Sequence, residues 1–333
     1  STSHPFAFAN AVEEIAGIEI TDRTKYIRSI IGELERIHSH LLWVGLAGHF
    51  LGYNTVFMWA WKYREPVLDL FEMITGNRNS YAMFKVGGVR RDIENNKIAE
   101  IRRVLGEVKS KTDLLTGAVM DDPVIHARTK GVGVLTRQDV IDYGAVGPTA
   151  RASGVAIDVR KDDPYAAYPL VDWKVITSEA GDVFAKAEVR LLEMYESISI
   201  IEQCLKGLEK EKEGEINVKV TEITEGMGNG RAEAPRGEVF HFVVSDGSNS
   251  PARHKIRAPS YVNIATFKKS CIGQTIADAT ITLAGVDPCY CCTERLAVVC
   301  DARSGEKLMN AKELIERSAA RTASLNKEFN CNK

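Results

Sequence analysis

From Asp22 to Leu51 apolar residues recur at Ile27, Ile30, Ile31, Leu34, Ile37, Leu41 and Leu42, close to the 3.6-residue repeat of an α-helix. A helix this long with one apolar stripe has to bury that stripe against other helices, which points to a bundle. Thr21 or Asp22 supplies its N-terminal cap. A second helix is expected from Thr55 to Ile74, kinked or broken at Pro66 and stopped by Thr75-Gly76-Asn77. A third runs from Asp92 to Leu115, ending before Thr116-Gly117, and a fourth from Ser178 to Gly207. Between Gly131 and Pro169 the density of Gly, Pro and Asp predicts loops and short helices.

The period changes near the end. Val239 to Val244 alternates like a strand, His254 to Ile256 offers a second, and Asp246-Gly247-Ser248-Asn249 forms the turn of a hairpin. Ser260 to Ser270 and Thr275 to Leu283 read as helices, and Gly285 opens a loop. The expected fold is mainly α (α+β): a helical bundle core with an inserted β-hairpin.

Charge narrows the function classes. Lys and Arg number 43 against 45 Asp and Glu, for a formal net charge of −2, so no basic surplus marks a nucleic-acid binder. The most apolar stretch, His40 to Tyr63, is interrupted by His49, Gly52 and Asn54. It reads as two core helices meeting, so no direct membrane span is expected. The opening residues carry no basic region followed by an apolar one, so no export signal is expected.

Three of the seven cysteines cluster as Cys289, Cys291 and Cys292, in the loop Asp287-Pro288-Cys289-Tyr290-Cys291-Cys292. Such tight spacing suits metal binding better than cross-linking. The C-x-x-C pair Cys289 and Cys292 lets two thiolates reach one ion, and soft thiolates favour nickel, zinc, copper(I) or iron. A buried, inert pair fits the same spacing. One pair supplies two ligands, whereas a closed thiolate site takes four. Cys204, Cys271, Cys291, Cys300 and Cys331 read as small buried or surface residues, and His126, His241 and His254 show no ligand spacing.

Asp287-Pro288-Cys289-x-x-Cys292 followed by Thr293-Glu294-Arg295 resembles the C-terminal motif of nickel–iron hydrogenase large subunits, in the form found in the energy-converting and formate-hydrogenlyase branch. Glu35-Arg36-Ile37-x-Ser39-His40-Leu41-Leu42-Trp43, Thr75-Gly76-Asn77-Arg78, Arg151-Ala152-Ser153-Gly154 and Val244-Ser245-Asp246-Gly247-Ser248 resemble that branch too. They equally resemble its relative, the quinone-site subunit of respiratory complex I, which lacks the nickel cysteines. The resemblance covers nearly all of residues 1–295 and implies a hydrogenase large-subunit-like domain there.

By that resemblance, the cofactor is a nickel–iron centre with carbon monoxide and cyanide on the iron. Cys289 is a terminal nickel ligand and Cys292 bridges nickel and iron. Arg236, in Ala234-Pro235-Arg236-Gly237, is a charged donor to a cyanide, and Asp287 pairs with it. Pro259 and Ser260 form the second cyanide-binding turn, and His4 hydrogen-bonds near the bridging cysteine. Pro235 belongs to the same shell. Family members bring a first C-x-x-C pair in a segment of the form Arg-x-Cys-Gly-x-Cys-Ser-x-x-His. Ser1-Thr2-Ser3-His4 resembles the tail of that segment, so the second pair is expected upstream of Ser1. Where some hydrogenases carry an aspartate between two histidines, this chain has Ser39 between His38 and His40, which are expected to be structural or on a proton path.

The resemblance also implies partners: an iron–sulfur small subunit that takes the electrons, and complex I-like peripheral and membrane subunits. These would hold the chain peripherally on the cytoplasmic side of the membrane. Residues 296–333, with an amphipathic helix from Ala311 to Leu325, form an expected C-terminal extension and a possible maturation peptide.

Overall fold

The computed structural model describes residues 2–293, 299–301 and 303–328. The chain divides into two compact units, Ser1–Cys292 and Thr293–Lys333. Residues 295 and 296, where the sequence places its own division, lie outside the described residues, as do Glu294 of the Thr-Glu-Arg ending and Cys331.

The first unit is built on helix α2 (Asp22–Phe50), whose N-terminal cap is Thr21, accepting the Thr24 N–H on its side chain. Ile27, Ile30, Ile31, Leu34, Ile37 and Leu41 are buried along it. Each such side chain contributes roughly 1.5–3 kcal/mol by leaving water. Helix α3 (Asn54–Thr75) returns antiparallel, and α4 (Asn95–Met120) and α5 (Val183–Leu208) complete the bundle, with α2 packed on both α3 and α5.

Four boundaries differ from the periodicity. Pro66 lies inside an unbroken α3, because the lost hydrogen bond is a single one and both flanking turns are anchored in the core by Tyr63, Val67 and Leu70. Helix α4 starts later than Asp92, whose carboxylate instead takes Arg23 Nε at 2.8 Å and the Gly214 N–H. It also runs through Gly117 to Met120, where buried Val119 rewards continuation. Helix α5 starts at Val183, capped by Asp182, since residues 178–181 pair with the backbone of Arg151 and Ala152 instead.

Helix α1 (Ser3–Ala16) and a first strand β1 (Glu225–Ala234) have no counterpart in the sequence reading. With β2 (Gly237–Asp246) and β3 (Arg253–Arg257), β1 makes a three-stranded antiparallel sheet in the order β1-β2-β3, larger than the expected hairpin. Its glycines hid it: Gly228 and Gly230 leave room for α1, and a Cβ at Gly230 would overlap the Ala7 carbonyl. The segment after the sheet breaks into α6 (Pro259–Asn263), a 3₁₀ turn and α7 (Phe267–Cys271), followed by α8 (Ile276–Gly285) and the short α9 (Tyr290–Thr293). The second unit carries a small hairpin, Val299–Cys300 with Lys307–Met309, and helix α10 (Ala311–Glu328). No helix among the described residues is long and apolar enough to cross a membrane.

Candidate metal centre

The cysteine loop is held from below by α6 and α8. Ala284, in the last turn of α8, accepts the Asp287 N–H at 2.8 Å and the Trp43 indole N–H at 2.8 Å. Asp287 turns the chain with a left-handed φ of 55°, uncommon for a residue with a Cβ. Ser260 is fully buried in the first turn of α6, directly after Pro259, and its hydroxyl accepts the Cys289 N–H at 3.1 Å. The residue preceding this helix is Ala258, so Ser260 is no cap and its oxygen is left for the cysteine loop. Cys292 N–H closes the turn on the Cys289 carbonyl at 3.1 Å.

Opposite this loop stands Arg236. The register of β1 and β2 pairs Ala234 with Gly237, so Pro235 and Arg236 form a two-residue turn whose tip carries the guanidinium. Three groups hold it: Arg236 Nη2 lies 3.0 Å from Asp287 Oδ1, Nε donates to the Asp287 carbonyl at 3.0 Å, and Nη1 donates to Ser39 Oγ at 3.2 Å. The Arg236 carbonyl accepts from Asn263 Nδ2 at 3.2 Å. Asn263 also takes the Val146 N–H and donates to the Val146 carbonyl, locking the turn to the loop before Gly147. Gly147 passes so close beneath that a Cβ there would collide with the Arg236 carbonyl.

These contacts tune the site. Burial alone would lower the pKa of Arg236, but Asp287 and the two cysteines raise it, so the guanidinium is a fixed positive charge. The Cys292 thiol donates to Cys289, and with Arg236 nearby this lowers Cys289 to about 5, against an opposing burial effect. Cys292 is raised in return. The pair therefore shares one proton, with thiolate character on Cys289, the ligand form of the side chain.

His4, near the start of α1, sets Nε2 at 3.9 Å from Cys292 Sγ. Two histidines lie farther back. His40 is fully buried on Glu193 at 2.8 Å, and burial, opposed by that hydrogen bond, lowers it to about 4. His38 faces Arg64, with burial and that cation lowering it to about 3. Both are held neutral and positioned. Arg190 lies over the Trp43 ring at 4.2 Å and leaves Nε and Nη2 without hydrogen-bond partners, and Asp287 Oδ2 is likewise unpartnered.

The fold thus brings together His4, Pro235, Arg236, Pro259, Ser260, Asp287, Cys289 and Cys292. Sequence reasoning missed Ser39, Arg190 and Asn263. Only the Ser39 position, between two histidines, carried any signal. Among the described residues no group of three or more His, Cys, Asp or Glu converges to hold a metal ion. The loop fits a soft metal as a two-sulfur half-site, and a closed four-sulfur shell takes two more ligands.

The sequence profile described as "Respiratory-chain NADH dehydrogenase, 49 Kd subunit" matches residues 51–227 and 218–295. The membrane-bound hydrogenase subunit alpha of Pyrococcus furiosus is 38% identical, over 98% of this chain and 79% of its own length. A chain of the NADH-quinone oxidoreductase of Herpetosiphon aurantiacus is 37% identical, over 84% of this chain and 77% of its own. A solved chain from the membrane-bound sulfane sulfur reductase, an archaeal respiratory membrane complex, superimposes with a TM-score of 0.82 at 32% identity, covering 87% of this chain and 80% of that one. The chain is therefore a member of the respiratory-chain NADH dehydrogenase 49 Kd subunit family, which joins the large subunits of energy-converting hydrogenases to complex I.

Proposed function

We propose that this chain is the catalytic large subunit of an energy-converting nickel–iron hydrogenase. The observation that carries the reading is the placement of two cysteines of one loop opposite a guanidinium that Asp287 and Ser39 aim at them. Cys289 and Cys292 would hold the metals, with two further sulfur ligands from outside the described residues. When bound, the centre supplies the reversible splitting of H2 into two protons and two electrons.

The protein's own part is electrostatic and positional. Arg236 would offer N–H donors and a permanent charge to cyanide ligands and to developing negative charge. Asp287 keeps that fork oriented. Pro259 and Ser260 shape the second polar turn, and Ser260 fixes the Cys289 backbone. Electrons would leave to an iron–sulfur small subunit, and complex I-like peripheral and membrane subunits would hold the chain on the cytoplasmic side of the membrane. Residues 296–333 would serve as a maturation peptide removed after metal loading, and a mature subunit still ending at Lys333 by intact mass spectrometry rejects that.

One observation favours a second reading. Identity to the NADH-quinone oxidoreductase chain, at 37%, is nearly that to the hydrogenase, at 38%. In that reading the chain is a non-catalytic or quinone-site subunit of a complex I-like dehydrogenase. The native complex decides: nickel by elemental analysis together with infrared bands of metal-bound CO and cyanide supports the hydrogenase, and their joint absence supports the dehydrogenase.

A further inference from the structure

Strand β2 alternates, and its inward residues Val239, His241 and Val243 are all buried, His241 to 2% exposure. A histidine between two valines on an apolar face needs partners for both ring nitrogens. It has them, and both are histidines. His241 Nε2 lies 3.0 Å from His4 Nδ1, and His241 Nδ1 lies 2.9 Å from His254 Nε2. His4 then turns Nε2 toward Cys292 Sγ, at 3.9 Å. His254 sits on the exposed edge strand β3. Phe8 lines the His241–His254 pair on one side, with ring centroids 6.5 and 5.1 Å away.

The order is therefore solvent, His254, His241, His4, Cys292. Each link joins one ring's δ nitrogen to another ring's ε nitrogen. A neutral imidazole has one N–H and one lone-pair nitrogen, so three in series can all point their N–H groups the same way. Burial first, then its two histidine neighbours, push His241 down to about 3. It is thus a neutral donor and acceptor, as a relay ring must be.

We propose that His254, His241 and His4 form a proton conduit between solvent and the Cys289–Cys292 loop. Inward, water gives a proton to His254 Nδ1 as His254 Nε2–H passes its own to His241 Nδ1. His241 Nε2–H passes to His4 Nδ1, and His4 Nε2–H passes its proton to Cys292 Sγ as the Cys292 thiol hands its own to the Cys289 thiolate. One proton enters, one leaves, and each ring ends as the other tautomer. Outward flow reverses every transfer, and no electrons move. The assignment rests on the hydrogenase reading in placing proton release at this loop.

The test uses the intact native complex with His241→Phe or His254→Ala. H2 evolution from a reduced dye should fall about tenfold or more and return when imidazole is added to the buffer. Nickel content and the CO and cyanide bands should stay at the wild-type level. Independently of turnover, infrared spectra of histidine-labelled complex in D2O should show the ring N–H signal that is lost in His4→Gln exchanging more slowly in His241→Phe. Unchanged turnover, a loss that imidazole does not restore, or unchanged His4 exchange overturns the conduit. Where His241→Phe does not assemble, His254→Ala on the exposed strand carries the same measurements. A wild-type complex without nickel defeats the hydrogenase reading instead, and the exchange measurement alone then decides the conduit.

Discussion

Arg236 and Asp287 are joined twice, by an ion pair at 3.0 Å between side chains and by a hydrogen bond from Arg236 Nε to the Asp287 carbonyl, also 3.0 Å. The second contact ties the guanidinium to the backbone of the very loop that carries Cys289. Moving either residue therefore moves charge and ligand together.

Arg236→Lys keeps the charge but removes the planar fork, so it cannot hold Asp287 and Ser39 at once. Hydrogenase turnover should fall about 100-fold, the scale for losing one preorganised donor. Nickel content should remain. Near-normal turnover would show that Arg236 is not at the reacting centre.

Asp287→Asn tolerates the left-handed backbone and should leave the loop folded, whereas Asp287→Val should strain it by about 1–3 kcal/mol. Both lose the ion pair, so both should lose activity, but the valine variant should lower the melting temperature further. Equal melting temperatures would place the strain elsewhere.

Asn263→Ala strips partners from the Val146 N–H and carbonyl and from the Arg236 carbonyl, all at a buried junction. Leaving such groups unsatisfied costs roughly 1–3 kcal/mol each, so a loss of at least about 2 kcal/mol is expected in denaturant titration. Asn263→Asp retains the acceptor and should recover part of it.

Glu33 is fully buried between Arg36 at 3.1 Å and Arg160 at 3.0 Å, and also accepts from Tyr168 and Ser197. Burial would raise its pKa, but the two arginines and two hydroxyls lower it to about 2 from an ordinary 4.5. A depressed carboxylate stabilises the fold above the unfolded value and ceases to as pH falls through the folded one. About 3 kcal/mol should therefore vanish between pH 4.5 and about 2. Glu33→Gln should flatten the stability–pH curve in that window and destabilise the protein at neutral pH, since two buried cations lose their partner. An unchanged curve would mean that the acid transition arises at other carboxylates.

Much of the fold and the cysteine pair of the site are legible in the residues alone. The apolar repeat of α2 marks a bundle because only a helix puts Ile27, Ile30, Ile31 and Leu34 on one side. The alternation of β2 and the turn at Asp246–Asn249 likewise mark local hydrogen bonding that nearby residues decide. Strand β1 is illegible because Gly226, Gly228 and Gly230 mimic a loop, and the reason for them, the closeness of α1, lies more than 200 residues away in sequence. Pro66 does not break α3, because packing outweighs one missing hydrogen bond.

Residue identity alone determined which chemical groups the chain owns and roughly where its long helices run, since periodicity and thiolate spacing are local properties. What only the tertiary structure decided is which distant groups share a point in space. Ser39 meets Arg236, Asn263 clamps the Arg236 turn, and His4, His241 and His254 fall into line. Those contacts join positions from separate elements, and the burial that brings them together acts on the folded chain as a whole.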